Sequence, residues 1–159
     1  HDALREPTVA ALDLDFILID CPPSLSLLTI NALVSSHAVL VPLQAEFFAL
    51  EGLSQLMLTI REVRKGANPG LRIEGVVLTM VDSRNRLSQQ VEGDVRTTLG
   101  ELVFKTVIPR NVRLSEAPSY AQPVLAYDSV SKGSEAYRAL AQEVLARHPI
   151  SHRFNEETA

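Results

Sequence analysis

Apolar residues along this 159-residue chain follow two rhythms: short unbroken runs, and longer stretches in which they return every three or four positions. The short runs predict buried strands over 16–20, 38–43, 73–80 and 105–108, because a strand covered on both faces has no polar side to present. Between them the period becomes helical. Leu50, Leu53, Met57 and Ile60 fall on one face, with the stem of Arg64 laid along the stripe; Leu87, Val91, Val95 and Leu99 form a second stripe, stopped by Gly100. A last helix is expected over 134–147, turning Tyr137, Leu140, Ala141, Val144 and Leu145 inward, with Pro149 marking its end. Strands alternating with helices predict an α/β fold, a mostly parallel sheet flanked by helices. No repeat, low-complexity tract or linker interrupts the pattern, so the expectation is a single domain over 1–159 with a polar tail at 151–159.

Composition narrows the chemistry. With 46% hydrophobic residues the chain can bury a core, and a net charge of −4 argues against a surface that is basic all over, leaving room for a local basic patch. One cysteine, Cys21, excludes an internal disulfide framework and makes a reducing, cytoplasmic compartment the expectation. No apolar run reaches the ~18 residues of a membrane span, and no leader pattern opens the chain. It begins with His1 rather than Met, which reads as a processed or truncated product.

In a parallel sheet the strand ends share one edge, and ligands bind there. The expected loops at that edge are Asp20-Cys21-Pro22-Pro23-Ser24, Pro42-Leu43-Gln44-Ala45-Glu46, Thr79-Met80-Val81-Asp82-Ser83-Arg84-Asn85 and Pro109-Arg110-Asn111-Val112-Arg113. An apolar strand ending in one carboxylate and a stiff Pro-Pro turn suits a nucleotide-metal site: Asp20 can hold a water of Mg²⁺, and the next segment can sense a phosphate. Asp82 and Asn111 suit a purine edge, since a carboxylate accepts from an exocyclic amine and an amide both accepts and donates. Arg84, Arg86, Arg110 and Arg113 concentrate positive charge there. Other chemistries fare worse. Cys21 lacks the arginine of a phosphatase thiolate loop and reads as a small buried filler, His37, His148 and His152 lack zinc spacing, and Ser24 and Ser26 lack a nucleophile elbow.

These strings, together with Ala49-Leu50-Glu51-Gly52, the run from Val107 through Tyr120 and Ser131-Lys132-Gly133-Ser134-Glu135-Ala136-Tyr137, closely resemble the ParA (Soj-like) partition ATPases of the deviant Walker A, P-loop NTPase-like group, over 16–147. The resemblance implies an ATP- and Mg²⁺-dependent switch that forms a homodimer, binds non-specific DNA, and hydrolyses ATP under stimulation by a ParB-type centromere-binding protein. It implies a cytoplasmic, nucleoid-associated protein with no membrane partner. By the same resemblance Asp20 is the Walker B carboxylate, catalytic and associated with Mg²⁺ through water; Cys21, Pro22, Pro23 and Ser24 are switch II; Asp82, Pro109, Arg110 and Asn111 form the adenine pocket; and Arg84 and Arg113 lie on the DNA face.

The chain departs from the family in one respect: no glycine-rich Lys-Gly-Gly-x-Gly-Lys-Thr loop occurs in it, so no segment carries the glycines that cradle phosphates. The family places that loop, and its strand, before residue 1. The expectation is therefore a carboxyl-terminal portion lacking the P-loop strand and inactive by itself. The alternative is a non-catalytic DNA- or partner-binding module. A MinD-like membrane regulator is disfavoured because 152–157 lack an apolar stripe, and a nitrogenase iron-protein relative because the cluster cysteines are missing.

Overall fold

The computed structural model describes residues 12, 14–22, 24 and 26–148. Two strands, β1 (Ala38–Gln44) and β2 (Arg72–Thr79), pair in parallel, with Val41 opposite Val76 and Leu43 opposite Leu78. The helices are α1 (Leu27–Ser35), α2 (Ala49–Lys65), α3 (Arg86–Leu99), α4 (Val112–Glu116), α5 (Val124–Tyr127) and α6 (Lys132–Arg147). The two central strands and the helices α2, α3 and α6 lie where their periodicity predicts, within a residue or two. Gly100 ends α3 at φ 54, a conformation that costs glycine nothing.

The core follows from strand alternation. Val41, Leu43, Val76 and Leu78 face Leu53 of α2 and Val91 and Val95 of α3, whereas Val77 faces Phe104, Ile108 and Leu140 of α6. A third cluster, Leu33, Ile60, Val63 and Leu71, seats α1 on α2, and Asn68 Nδ2 closes the end of α1 by donating to the carbonyls of Leu33 at 3.0 Å and Ser36 at 2.7 Å. The register slips between Val39 and Leu40, opposite Gly75. A Cβ on Gly75 would stand 2.6 Å from the Phe104 ring and 2.9 Å from the Leu102 carbonyl, so the close approach of these segments requires glycine.

Four expectations change. The run 105–108 lies beside β2 without becoming a regular strand: bridges pair Val76 with Val103 and Val81 with Pro109, and Ile108 N donates to Leu78 O at 2.8 Å. Between those bridges the Glu143 carboxylate takes the Lys105 and Thr106 N–H groups at 2.8 and 2.9 Å, replacing strand partners. The expected strand 16–20 is irregular and exposed, with Leu18 at 91%. An apolar run becomes a strand only where a ladder meets it, and among the described residues β1 pairs with β2 alone. Cys21 is exposed rather than a buried filler, because the segment that carries it stands outside the core. Of the five α6 residues expected inward only Leu140 is buried and Val144 half-buried, while Tyr137, Ala141 and Leu145 are exposed; a helix lying on one sheet face buries a stripe narrower than its apolar content. Residues Pro23, Pro149 and the tail 151–159 fall outside the described residues.

Candidate functional site

The carboxyl edge of the parallel pair gathers three of the four expected loops. Ala45 N donates to Thr79 O at 3.0 Å, and Arg110 N to Val81 O at 2.9 Å, so the chain leaving β1, the chain leaving β2 and the segment after Ile108 are tied together by their backbones. Above them opens a cleft of about 850 Å³, walled by Glu46, Phe47, Phe48, Met80, Asp82 and Arg110 among others. Its volume suits a small-molecule ligand. The backbone turns sharply into it at Met80, whose φ of 55 is rare for a residue with a side chain.

Asp82 is held by an Asx-type turn: its Oδ1 accepts from Arg84 N at 3.0 Å and from Arg84 Nε at 3.3 Å. The Arg84 backbone N–H, then its side chain, keep the Asp82 carboxyl below its ordinary value, so it is an anion at neutral pH. Its backbone N–H is taken by Ser88 Oγ at 3.2 Å. Across the cleft Arg110 Nη2 lies 3.6 Å from Glu46 Oε1, a loose pair that a ligand can enter. Pro109, next to Arg110 in the chain, bridges to Val81. Asn111 caps α4, its Oδ1 accepting from Arg113 N at 2.9 Å, so the carbonyl face of that amide is committed to the helix.

The two candidate DNA-face arginines differ. Arg84 extends into solvent with its side chain 90% exposed. Arg113 is half-exposed and clasped by two carboxylates, with Nη1 2.8 Å from Glu116 and Nε 3.2 Å from Asp128. The Glu116 hydrogen bond and charge hold the Arg113 guanidinium above its ordinary value. Tyr127 donates its hydroxyl to the same Glu116 oxygen at 3.3 Å and stacks on Tyr120 at 5.0 Å between ring centroids. The Arg113–Glu116 spacing is readable on a helix, whereas Asp128 and Tyr127 arrive through two turns and carry no sequence signal.

The first expected loop shares no hydrogen bond or ion pair with this site among the described residues. Asp20, Cys21, Pro22 and Ser24 are exposed; Cys21 Sγ donates weakly to Ile19 O at 3.7 Å, and Ser24 O accepts from Thr29 Oγ1 at 2.7 Å. Among the described residues no cluster of three carboxylate, histidine or cysteine side chains is placed to hold a metal, and no helix is long and apolar enough to cross a membrane.

A parallel α/β sheet with a cleft at its carboxyl edge is shared by many ligand-binding folds, and the solved structures it resembles set the chain in the P-loop NTPase-like class. Cobyrinic acid a,c-diamide synthase from Mycobacterium smegmatis, with bound ADP and magnesium, superposes with a TM-score of 0.66 at 40% identity, over 91% of this chain and 52% of that one. Residues 8–73 match a family described as an AAA domain. Chromosome partitioning protein ParA of Caulobacter vibrioides is 61% identical over 132 residues, 83% of this chain and 49% of that protein. Sporulation initiation inhibitor protein Soj of Bacillus subtilis is 58% identical over 132 residues, 83% of this chain and 52% of that protein. The resemblance read from the sequence is borne out: the chain is similar to the ParA/Soj partition proteins, and it spans about half the length of the curated relatives it matches.

Proposed function

We propose that the chain is the carboxyl-terminal portion of a ParA-type DNA-partitioning ATPase, a single domain that supplies the base-binding edge and part of the DNA face. In this reading the intact protein is a homodimer that binds ATP with Mg²⁺, holds non-specific DNA, and hydrolyses ATP under stimulation by a ParB-type partner, in the cytoplasm at the nucleoid. Asp82, Pro109, Arg110 and Asn111 serve the adenine, Arg84 and Arg113 the DNA. Asp20 serves the Mg²⁺ through water, and Cys21 to Ser24 serve as switch II. The observation that carries the reading is the meeting of Glu46, Asp82 and Arg110 around one cleft at the carboxyl edge of a parallel sheet.

The residues present fit the base end of a nucleotide. Arg110 and Glu46 are loosely paired and open to a ligand, and one Asp82 oxygen is engaged by Arg84 while its second has no bond to a protein donor among the described residues. At the metal and phosphate end the described residues supply the exposed Asp20 but no group of three carboxylate, histidine or cysteine side chains, so no catalytic step is assigned to this chain through Mg²⁺. That same observation favours a second reading of the 159 residues by themselves, a binding module without nucleotide chemistry.

In the intact protein, Asp20→Ala should abolish ATP hydrolysis while thermal unfolding stays unchanged, because Asp20 contributes charge and no core packing. Turnover at the native rate in that variant overturns the Walker B assignment.

A further inference from the structure

We propose that Glu116 and Asp128 act as an electrostatic brake on Arg113, holding its guanidinium on protein carboxylates until a DNA phosphate competes for it. The inference rests on the reading of Arg113 as a DNA contact. Two anions share one cation here: Arg113 Nη1 meets Glu116 Oε2 at 2.8 Å and Nε meets Asp128 Oδ2 at 3.2 Å, so the trio carries a net charge of −1 toward an approaching phosphate. Tyr127 holds Glu116 in place through its hydroxyl at 3.3 Å. The guanidinium is half-exposed, so DNA reaches it but must displace a carboxylate to bind.

Arg84 is the internal contrast. Its side chain is 90% exposed and its one ion pair among the described residues, to Asp82, is at 3.3 Å from Nε. The structure thus holds one arginine extended toward solvent on a single carboxylate and one clasped between two. Asp128 can be neutralised without unmaking the local fold, because its backbone carbonyl, not its side chain, receives Ser134 Oγ at 2.6 Å and Ser131 Oγ at 3.0 Å. Glu116→Gln likewise keeps an oxygen for Tyr127.

The test measures affinity of the intact protein, with ATP and Mg²⁺, for two unrelated duplex DNAs across a salt series. Glu116→Gln and Asp128→Asn should each tighten binding on the order of 2- to 5-fold on both duplexes, the range expected when an exposed ion pair is released. The gain should vanish in an Arg113→Ala background. A merely structural role for the carboxylates predicts weaker or unchanged binding, and that result overturns the brake. A gain that persists in the Arg113→Ala background also overturns it, since the effect would then be one of net charge. If Arg113→Ala alone leaves binding unchanged, the underlying DNA-face reading fails instead, which separates the two ideas. Should one variant fold poorly, as judged by its melting temperature, the other decides the outcome.

Discussion

Arg84 and Arg113 carry the same charge into different surroundings, and the difference sets what each substitution does. A guanidinium on a phosphate contributes affinity without sequence preference and releases counterions, so its loss weakens binding evenly and flattens the salt dependence. Changing either arginine to Glu in the intact protein should weaken binding to unrelated duplexes alike and lower the salt slope by about 1. The Arg84 variant should lose more, because Arg84 starts from an exposed position and Arg113 from a clasped one. Retention on non-specific DNA equal to that of the native protein would show both to be ordinary surface arginines. Asp82 and Arg110 were legible because they follow apolar runs that end at one sheet edge. The commitment of Asn111 Oδ1 to capping α4 was not, since a capping Asn and a ligand-binding Asn look alike in sequence.

At the scale of elements, α6 substitutes for part of a β-ladder. Glu143 Oε1 and Oε2 accept the N–H groups of Lys105 and Thr106, closing the gap between the two flanking bridges, Val103 to Val76 and Pro109 to Val81. Burial pushes the Glu143 carboxyl up, but the Thr106 and Lys105 N–H bonds and the nearby Arg147 outweigh it and leave it below its ordinary value of 4.5. A folded value below the unfolded one means that the stabilisation is complete above pH 4.5 and is lost as pH falls through the folded value. Glu143→Gln should therefore cost about 1.5–3 kcal/mol at neutral pH, the scale of a charge-assisted hydrogen bond. Its melting temperature should also fall less on acidification below pH 4.5 than that of the native chain. Equal acid sensitivity in the two proteins would remove Glu143 from this role. The apolar run at 105–108 foretold a segment beside β2, and a carboxylate supplied from the far end of the chain decided that it would not be a regular strand.

For the molecule as a whole, the covering is uneven. β2 is enclosed by α2 and α3 on one side and α6 on the other, whereas β1 leaves Leu40, Pro42 and Gln44 exposed and pairs on one edge alone among the described residues. Leu18 and its apolar neighbours are exposed as well. Open strand edges and apolar surface of this kind promote pairing with another chain. The isolated 159-residue chain should therefore be oligomeric or aggregation-prone by light scattering and should bind ATP weakly in a calorimetric titration, its described residues building no phosphate cradle. A compact monomer with tight ATP binding would overturn both expectations.

The sequence by itself determined the α/β alternation, the two central strands and the helices that cover them, because apolar periodicity reports local geometry and which side of an element is covered. It also determined the family likeness, and with it which residues lie at the strand ends. Tertiary structure alone decided which of those ends meet. Glu46, Asp82 and Arg110 share a cleft because backbone bonds between Ala45 and Thr79 and between Arg110 and Val81 tie their loops together. Asp20 stands apart because a strand exists only when a neighbour accepts its hydrogen bonds, and that neighbour is a property of the whole sheet rather than of the run 16–20.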